Sequence, residues 1–331
     1  MLTPVFQVGD QLDRGDNEID ILSLLHRLKA QANATGGAFH ILAGNHETMN
    51  ARGNFRYATA GAMRQFKQWE SVCQFKPFLP GFVRDAYHCS LFTRKLECRG
   101  EDQACKNSLA EMNPLARSRF LALNSGGVLS KDLLAQERLA VVIVGDTLFV
   151  HGGLTKELIS SASNVTKVLQ KLNTDLSAFF AGELKGKKAY KGEKVLWNRD
   201  YSGRSVADLS ADPRACAELA ETLERMPGSV RRMVVGHSVQ KGGSVTSACG
   251  GAVWRVDIGM SRGVLGSSPQ VLEIRPGGQV TILSSADAPG TGQVLSGGWA
   301  RVTRRWLEAA AGSVSEAWDG VCRSYIQPKR S

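Results

Sequence analysis

The sequence contains no Cys-x-x-Cys pair. Its seven cysteines (Cys73, Cys89, Cys98, Cys105, Cys216, Cys249 and Cys322) are odd in number and scattered over 331 residues. That spacing offers no zinc ribbon and does not read as the disulfide framework of a secreted protein. Cys89, Cys98 and Cys105 fall close together beside His88, and free thiols within an insertion are expected there in preference to a small metal or disulfide site. No apolar run approaches the length of a membrane span, and no signal or transit peptide stands at Met1. An RGG tract, a zinc knuckle and a long basic run are all missing, so nucleic acid is not an expected partner. Acidic residues are scarce relative to basic ones, 31 against 41, for a net charge of +10. That surplus favours phosphate-bearing partners, phosphate esters and phosphoproteins among them. There is no internal repeat.

What is present suffices for one large domain or two ordinary ones, with apolar content adequate for a sizeable core. The apolar run Val5-Phe6-Gln7-Val8 reads as a buried strand that opens into Gly9-Asp10-Gln11-Leu12-Asp13-Arg14-Gly15. Ile21, Leu22, Leu24, Leu25 and Leu28 recur with helical spacing, which predicts a helix over about residues 19–34. Phe39-His40-Ile41-Leu42-Ala43 reads as a strand running into Gly44-Asn45-His46-Glu47, completing a βαβ unit. Residues from about 50 to 135 read as helices and loops forming an accessory cap beside the site. Val141–Val144 and Leu148–Val150 are strands joined by a Gly145-Asp146 hairpin turn. Helices follow at about 163–184 and 214–225, and a strand at Met233–Val235. Residues 253–258, 271–274 and 280–283 read as strands of one antiparallel sheet. This makes residues 1–284 one domain. The remainder, 285–331, reads as a Gly/Ser/Ala/Pro linker and a terminal helix. That helix bears Trp299, Val302 and Trp306 on one face and is expected to pack back on the body.

Four times an apolar strand ends in a residue type that binds metal: Gly9-Asp10, Gly44-Asn45, Val150-His151 and Gly236-His237. Singly, each is a turn asparagine, a capping aspartate or a core histidine. Strand ends of one sheet share an edge, so the four side chains can converge on one ion. An Asp, an Asn and two His suit Mn, Fe or Zn better than Ca, because imidazole is a borderline ligand. His46 follows Asn45 and can act as a general acid without being a ligand. Asp13 can hydrogen-bond His46, or merely cap the following helix. Arg14 and Arg199 can grip phosphate oxygens, although Arg199 can equally pair with Asp200 at the surface. Glu47 and Asp257 are candidate acceptors supporting these groups.

The motifs resemble a known family. Gly9-Asp10-Gln11-Leu12-Asp13-Arg14-Gly15 is similar to GDxxDRG, Gly44-Asn45-His46-Glu47 to GNHE, His151-Gly152-Gly153 to HGG, and Gly236-His237 to the final GH of metallophosphoesterases. Their order resembles the phosphoprotein phosphatases. The wording of Gly44–Asn50, Leu196–Asp200 and Trp254–Ser261 resembles the Shewanella-like protein phosphatases. The resemblance implies an α/β metallophosphoesterase fold, two mixed β-sheets packed as a sandwich flanked by helices. It implies hydrolysis of phosphoproteins at a two-metal site, with Mn the first choice and Fe or Zn the alternatives. Asp10 would bridge both metals, and Asn45, His151 and His237 would complete the second. His46 would protonate the leaving group with Asp13 behind it, and Arg14 and Arg199 would bind phosphate. Phosphoserine and phosphothreonine are the default substrates, with phosphotyrosine a further choice. One departure stands out. The family opens with a strand and Gly-Asp-x-His, whereas Met1 to Gly9 contains no Asp or His. An N-terminally incomplete chain is the expected reason, which leaves it a poor enzyme. Two alternatives remain, a catalytically inactive phosphoprotein-binding module and a diadenosine tetraphosphate hydrolase. The resemblance carries an expectation of a plastid, with mitochondrion and cytosol as alternatives.

Overall fold

A computed structural model describes residues 3–284 except 99, 101, 161, 185–189 and 191. The expected linker and terminal helix over 285–331 lie outside the described residues. Strands β1 (Val5–Gln7), β2 (Phe39–Leu42) and β3 (Arg138–Leu139) form a parallel sheet in that order. A second sheet holds β4 (Val141–Val144), β5 (Thr147–Val150), β6 (Arg232–Val235), β7 (Thr246–Ala248) and β8 (Val253–Arg255), in the order β4-β5-β6-β8-β7. There β5, β6 and β8 run parallel, and β4 and β7 are antiparallel edge strands. The last two strands, β9 (Gln270–Ile274) and β10 (Val280–Ser284), pair as an antiparallel ribbon.

The sheets face each other across an apolar layer. Leu42, Phe149 and Val234 are buried there, with Phe6, Trp254, Leu272 and Ile274 packed around them. Phe6 of β1 and Phe149 of β5 stack at 3.7 Å between ring centroids, which joins one sheet to the other. A larger core lies beneath the helices. Helix α1 (Glu18–Ala34) carries Glu18 and Asp20 in its first turn, where acidic side chains complement the helix dipole. Its buried stripe is Ile19, Leu22, Leu25 and Ala32, and Ile21 and Leu24 face solvent. The stripe therefore lies one step round from the predicted one, because the first turn begins at Glu18. Helices α2 (Asn45–Ala51) and α3 (Ala60–Cys73) follow β2. Phe66 and Trp69 of α3 belong to the same buried cluster as Leu148 and Val150, so the insertion shares the main core. No helix among the described residues is long and apolar enough to cross a membrane.

Two expectations are corrected. Residues 253–258 do not continue into the antiparallel ribbon: β8 stops at Arg255 and lies parallel to β6. Strand direction depends on the path of the connection, which hydropathy does not reveal. Cys89, Cys98 and Cys105 are not free thiols. Cys73–Cys89, Cys98–Cys105 and Cys216–Cys249 are disulfide-bonded, with Cα–Cα distances of 5.2, 5.8 and 5.3 Å. Such pairing needs only the right Cα–Cα approach, and spacings of 16, 7 and 33 residues carry no motif.

Candidate active site

Because β1 is parallel to β2 and β5 to β6, each pair delivers its carboxyl ends to one edge. The loop after β1 is unusual. Asp10, Asp13 and Arg14 have φ of 57°, 74° and 61°, a left-handed conformation that costs about 1–3 kcal/mol for a non-glycine residue. His237, after β6, has φ of 65°. Glu47 of α2 holds the strained loop. Its Oε2 accepts from Asp10 N at 3.0 Å and Gly44 N at 2.6 Å, and its Oε1 from Gln11 N at 2.8 Å and Leu12 N at 3.1 Å. The carboxylate is wholly buried. Burial and the Asp10 charge push it up, against the Gly44 N–H and the histidines. The two loops press together so closely that a Cβ on Gly44 would sit 2.0 Å from Asp10 Oδ1. Gly44→Ala is expected to displace Asp10 and to weaken divalent-ion binding by about 10–100-fold, the range seen when a supporting contact is lost. Titration calorimetry checks this, and unchanged affinity would refute it.

The four strand-end groups do meet. His151 Nδ1 donates to Val8 O at 2.7 Å, so its Nε2 carries the lone pair that faces Asn45 Oδ1 at 3.2 Å and Asp10 Oδ2 at 3.3 Å. His237 Nδ1 lies 2.7 Å from Asn45 Oδ1. Asn45 Nδ2 points the other way, to Met49 Sδ at 3.9 Å, which leaves its oxygen for the cluster. One ligand atom each from Asp10, His151 and His237 lies within 4.8 Å of the other two. The cluster thus gathers a carboxylate, an amide oxygen and two imidazoles around one point. Burial alone would raise the Asp10 carboxyl, but His151 and His46 hold it well below the usual carboxylate range. Burial would lower His151, but Asp10 raises it. Burial, then His151 and Arg199, drive His237 down to about 3. A set of two neutral-capable imidazoles, a carboxylate and an amide oxygen fits a borderline divalent cation.

Beside this cluster stands a histidine paired with a carboxylate. His46 Nδ1 lies 2.6 Å from Asp13 Oδ2, and its Nε2 lies 3.9 Å from Asp10 Oδ2. Burial would lower His46, but the Asp13 hydrogen bond and the Asp10 and Asp13 charges raise it. The calcineurin-like phosphoesterase profile matches residues 3–240.

The chain belongs to the calcineurin-like phosphoesterase family.

Among its relatives is the Shewanella-like protein phosphatase 2 of Arabidopsis thaliana, 33% identical over 297 residues, covering 86% of this chain and 68% of that protein. A cold-active protein tyrosine phosphatase structure is 23% identical at a TM-score of 0.48, covering 81% of this chain and 62% of that one. The enzyme of a psychrophilic Shewanella is 21% identical at a TM-score of 0.49, covering 85% and 69% respectively. The chain spans less than two thirds of the first of these structures.

In this family member Arg14 is exposed and lies over the Tyr57 ring, 5.2 Å from its centroid. Arg199 is exposed and donates from Nη1 to Ser238 Oγ at 3.0 Å, next to His237. Among the described residues no ion pair joins it to Asp200, whose carboxylate accepts from Asn198. Asp257 accepts from Gly259 N within its own turn at 3.2 Å and does not bond the metal-type ligands among the described residues. Burial pushes its carboxyl up, and nearby Asp10 adds to this. Four contributors were not anticipated: Glu18, Asn50, Tyr57 and Arg119. Of the two arginines in Arg117-Ser118-Arg119-Phe120, Arg117 faces solvent and Arg119 is fully buried, a difference that residue type does not signal.

Proposed function

We propose that the chain is a metal-dependent phosphoprotein phosphatase that hydrolyses phosphomonoesters. The observation that carries this is the convergence of Asp10, Asn45, His151 and His237 with His46 alongside, its Nε2 3.9 Å from Asp10 Oδ2. Asp10, Asn45, His151 and His237 would hold a divalent ion, with Mn the first choice and Fe or Zn the alternatives. Such an ion, when bound, acidifies water and polarises a phosphoryl oxygen. Arg14, exposed beside the Tyr57 ring, grips the phosphate. Arg199 reaches it from the opposite loop. His46 gives its Nε2 proton to the departing oxygen, and Asp13 holds the ring in the tautomer that allows this.

A specific observation bears on the substrate. The Tyr57 ring lies 5.1 Å from the His46 ring and is exposed, with Arg14 and Arg56 against it. This wall favours an aryl phosphate, so phosphotyrosine joins phosphoserine and phosphothreonine as a substrate. The test is manganese-stimulated hydrolysis of phosphotyrosine and phosphothreonine peptides by the full chain, with His46→Asn beside it. Release of phosphate from peptides, reduced about 10²–10⁴-fold by His46→Asn, is the expected result. Cleavage of a diadenosine tetraphosphate with peptides untouched would replace this reading by the dinucleotide hydrolase. Tight phosphopeptide binding without turnover would replace it by the binding module.

A further inference from the structure

We propose that Arg119, itself held by Glu18, is the positioning residue of the Asp13–His46 pair. Resting as it does on His46 as proton donor, this makes the helical insertion part of the catalytic apparatus. The guanidinium of Arg119 comes from the helix Arg117–Leu123 and is fully buried. Its Nη2 donates to Asp13 Oδ1 at 3.1 Å and to Glu18 Oε1 at 3.2 Å, its Nη1 donates to Glu18 Oε2, and its Nε donates to Asn50 Oδ1 at 2.9 Å. The rings of Phe55 and Phe66 lie against the same guanidinium, at 5.4 and 5.0 Å. Its position is therefore set in the plane by acceptors and out of the plane by aromatic rings.

Asp13 has two oxygens to place. Arg119 takes Oδ1, and Oδ2 is left for His46 Nδ1 at 2.6 Å. Glu18 Oε1 also accepts from Asp13 N at 2.7 Å, so the same carboxylate fixes the backbone of Asp13 and the cation that grips its side chain. Asn50 carries the contact to the other partner, donating from Nδ2 to His46 O at 2.9 Å. A merely structural ion pair would be complete with Glu18 and Arg119. The further bonds to Asp13 and Asn50 reach both members of the dyad. The planar fork grips Glu18 through Nη1 and Nη2, and this fixes the direction of the single Nη2 bond to Asp13 Oδ1, which a point charge would not do. Proton transfer is sensitive to small errors of aim.

The test uses the full chain. In the metal-free protein the Nδ1 proton of His46 should give a downfield NMR resonance, assigned by its loss in His46→Asn. Arg119→Lys keeps the charge and removes the fork. In that variant the resonance should move or vanish while the amide spectrum stays that of a folded protein. Hydrolysis of a phosphothreonine peptide, whose alkoxide leaving group needs a proton, should fall about tenfold or more. Hydrolysis of p-nitrophenyl phosphate, whose leaving group does not, should fall less than about threefold. An unchanged resonance in folded Arg119→Lys, or equal loss on both substrates, overturns the proposal. If Arg119→Lys does not fold, Glu18→Gln, which keeps its shape and loosens Arg119, is judged by the same two readouts. If His46→Asn itself slows both substrates equally, it is the proton-donor reading that fails. The resonance alone then decides whether Arg119 orients the pair.

Discussion

Glu47→Ala is expected to leave the chain unfolded or without a cooperative thermal transition. Asp10, Gln11, Leu12 and Gly44 each donate a backbone N–H to that one carboxylate. Alanine would leave these donors without an acceptor where water does not reach. A buried polar group left unpaired costs about 1–3 kcal/mol, and four together approach or exceed the low end of domain stability, about 5 kcal/mol. The strained conformations of Asp10, Asp13 and Arg14 would lose their restraint at the same time. Glu47→Gln should fall between, since one oxygen can still accept while the amide nitrogen faces two donors. Circular dichroism melting of the variants checks this. A Glu47→Ala midpoint close to that of the natural chain would mean that the loop is held by contacts other than this carboxylate.

Asp10→Asn is expected to abolish stabilisation by divalent ions while the protein still folds. Asp10 brings the full negative charge that balances a cation, next to His151 Nε2 at 3.3 Å. An ion that binds the folded chain at about a hundred times its dissociation constant stabilises by about 2.7 kcal/mol. For a domain of about 150–250 residues that is a rise of about 5–11 °C in the melting midpoint. With manganese or zinc the natural chain should show this rise, and Asp10→Asn should show none at the same concentration. Asparagine keeps the shape and one oxygen, so a lost response reports the charge and not a collapsed site. An equal response in both would move the ion away from Asp10.

The site was legible because its syntax is local. Asp10, Asn45, His151 and His237 each sit one to three residues past an apolar strand; parallel pairing brings β1 to β2 and β5 to β6, and the packing of the two sheets brings the two pairs of ends together. His46 and Asp13 could be read for the same reason, one adjoining Asn45 and the other three residues after Asp10. Glu47 was recognised as a supporting acceptor, but not as the group that holds four backbone donors, because the sequence does not show which N–H groups a buried carboxylate will meet. The cysteines were misread, since a disulfide needs only proximity and Cys73 meets Cys89 through a turn of the chain. The ribbon of β9 and β10 could be read as antiparallel, whereas β8 could not be assigned its direction from alternation alone.

The sequence by itself determined the strand-then-ligand pattern, the helical insertion and the chemistry of the candidate ligands. These depend on residue type and on spacing along the chain, which periodicity and short motifs preserve. Only the tertiary structure decided that a fully buried arginine 106 residues along the chain from Asp13 would hold its second oxygen. It also decided that Tyr57 would stand beside His46, and that left-handed backbone at Asp10, Asp13 and Arg14 would be held in place. The reason is physical. A buried charge is tolerated only when it is paired and hydrogen-bonded, and the partners that come from far along the chain, as Arg119 does to Asp13, leave no pattern in the sequence.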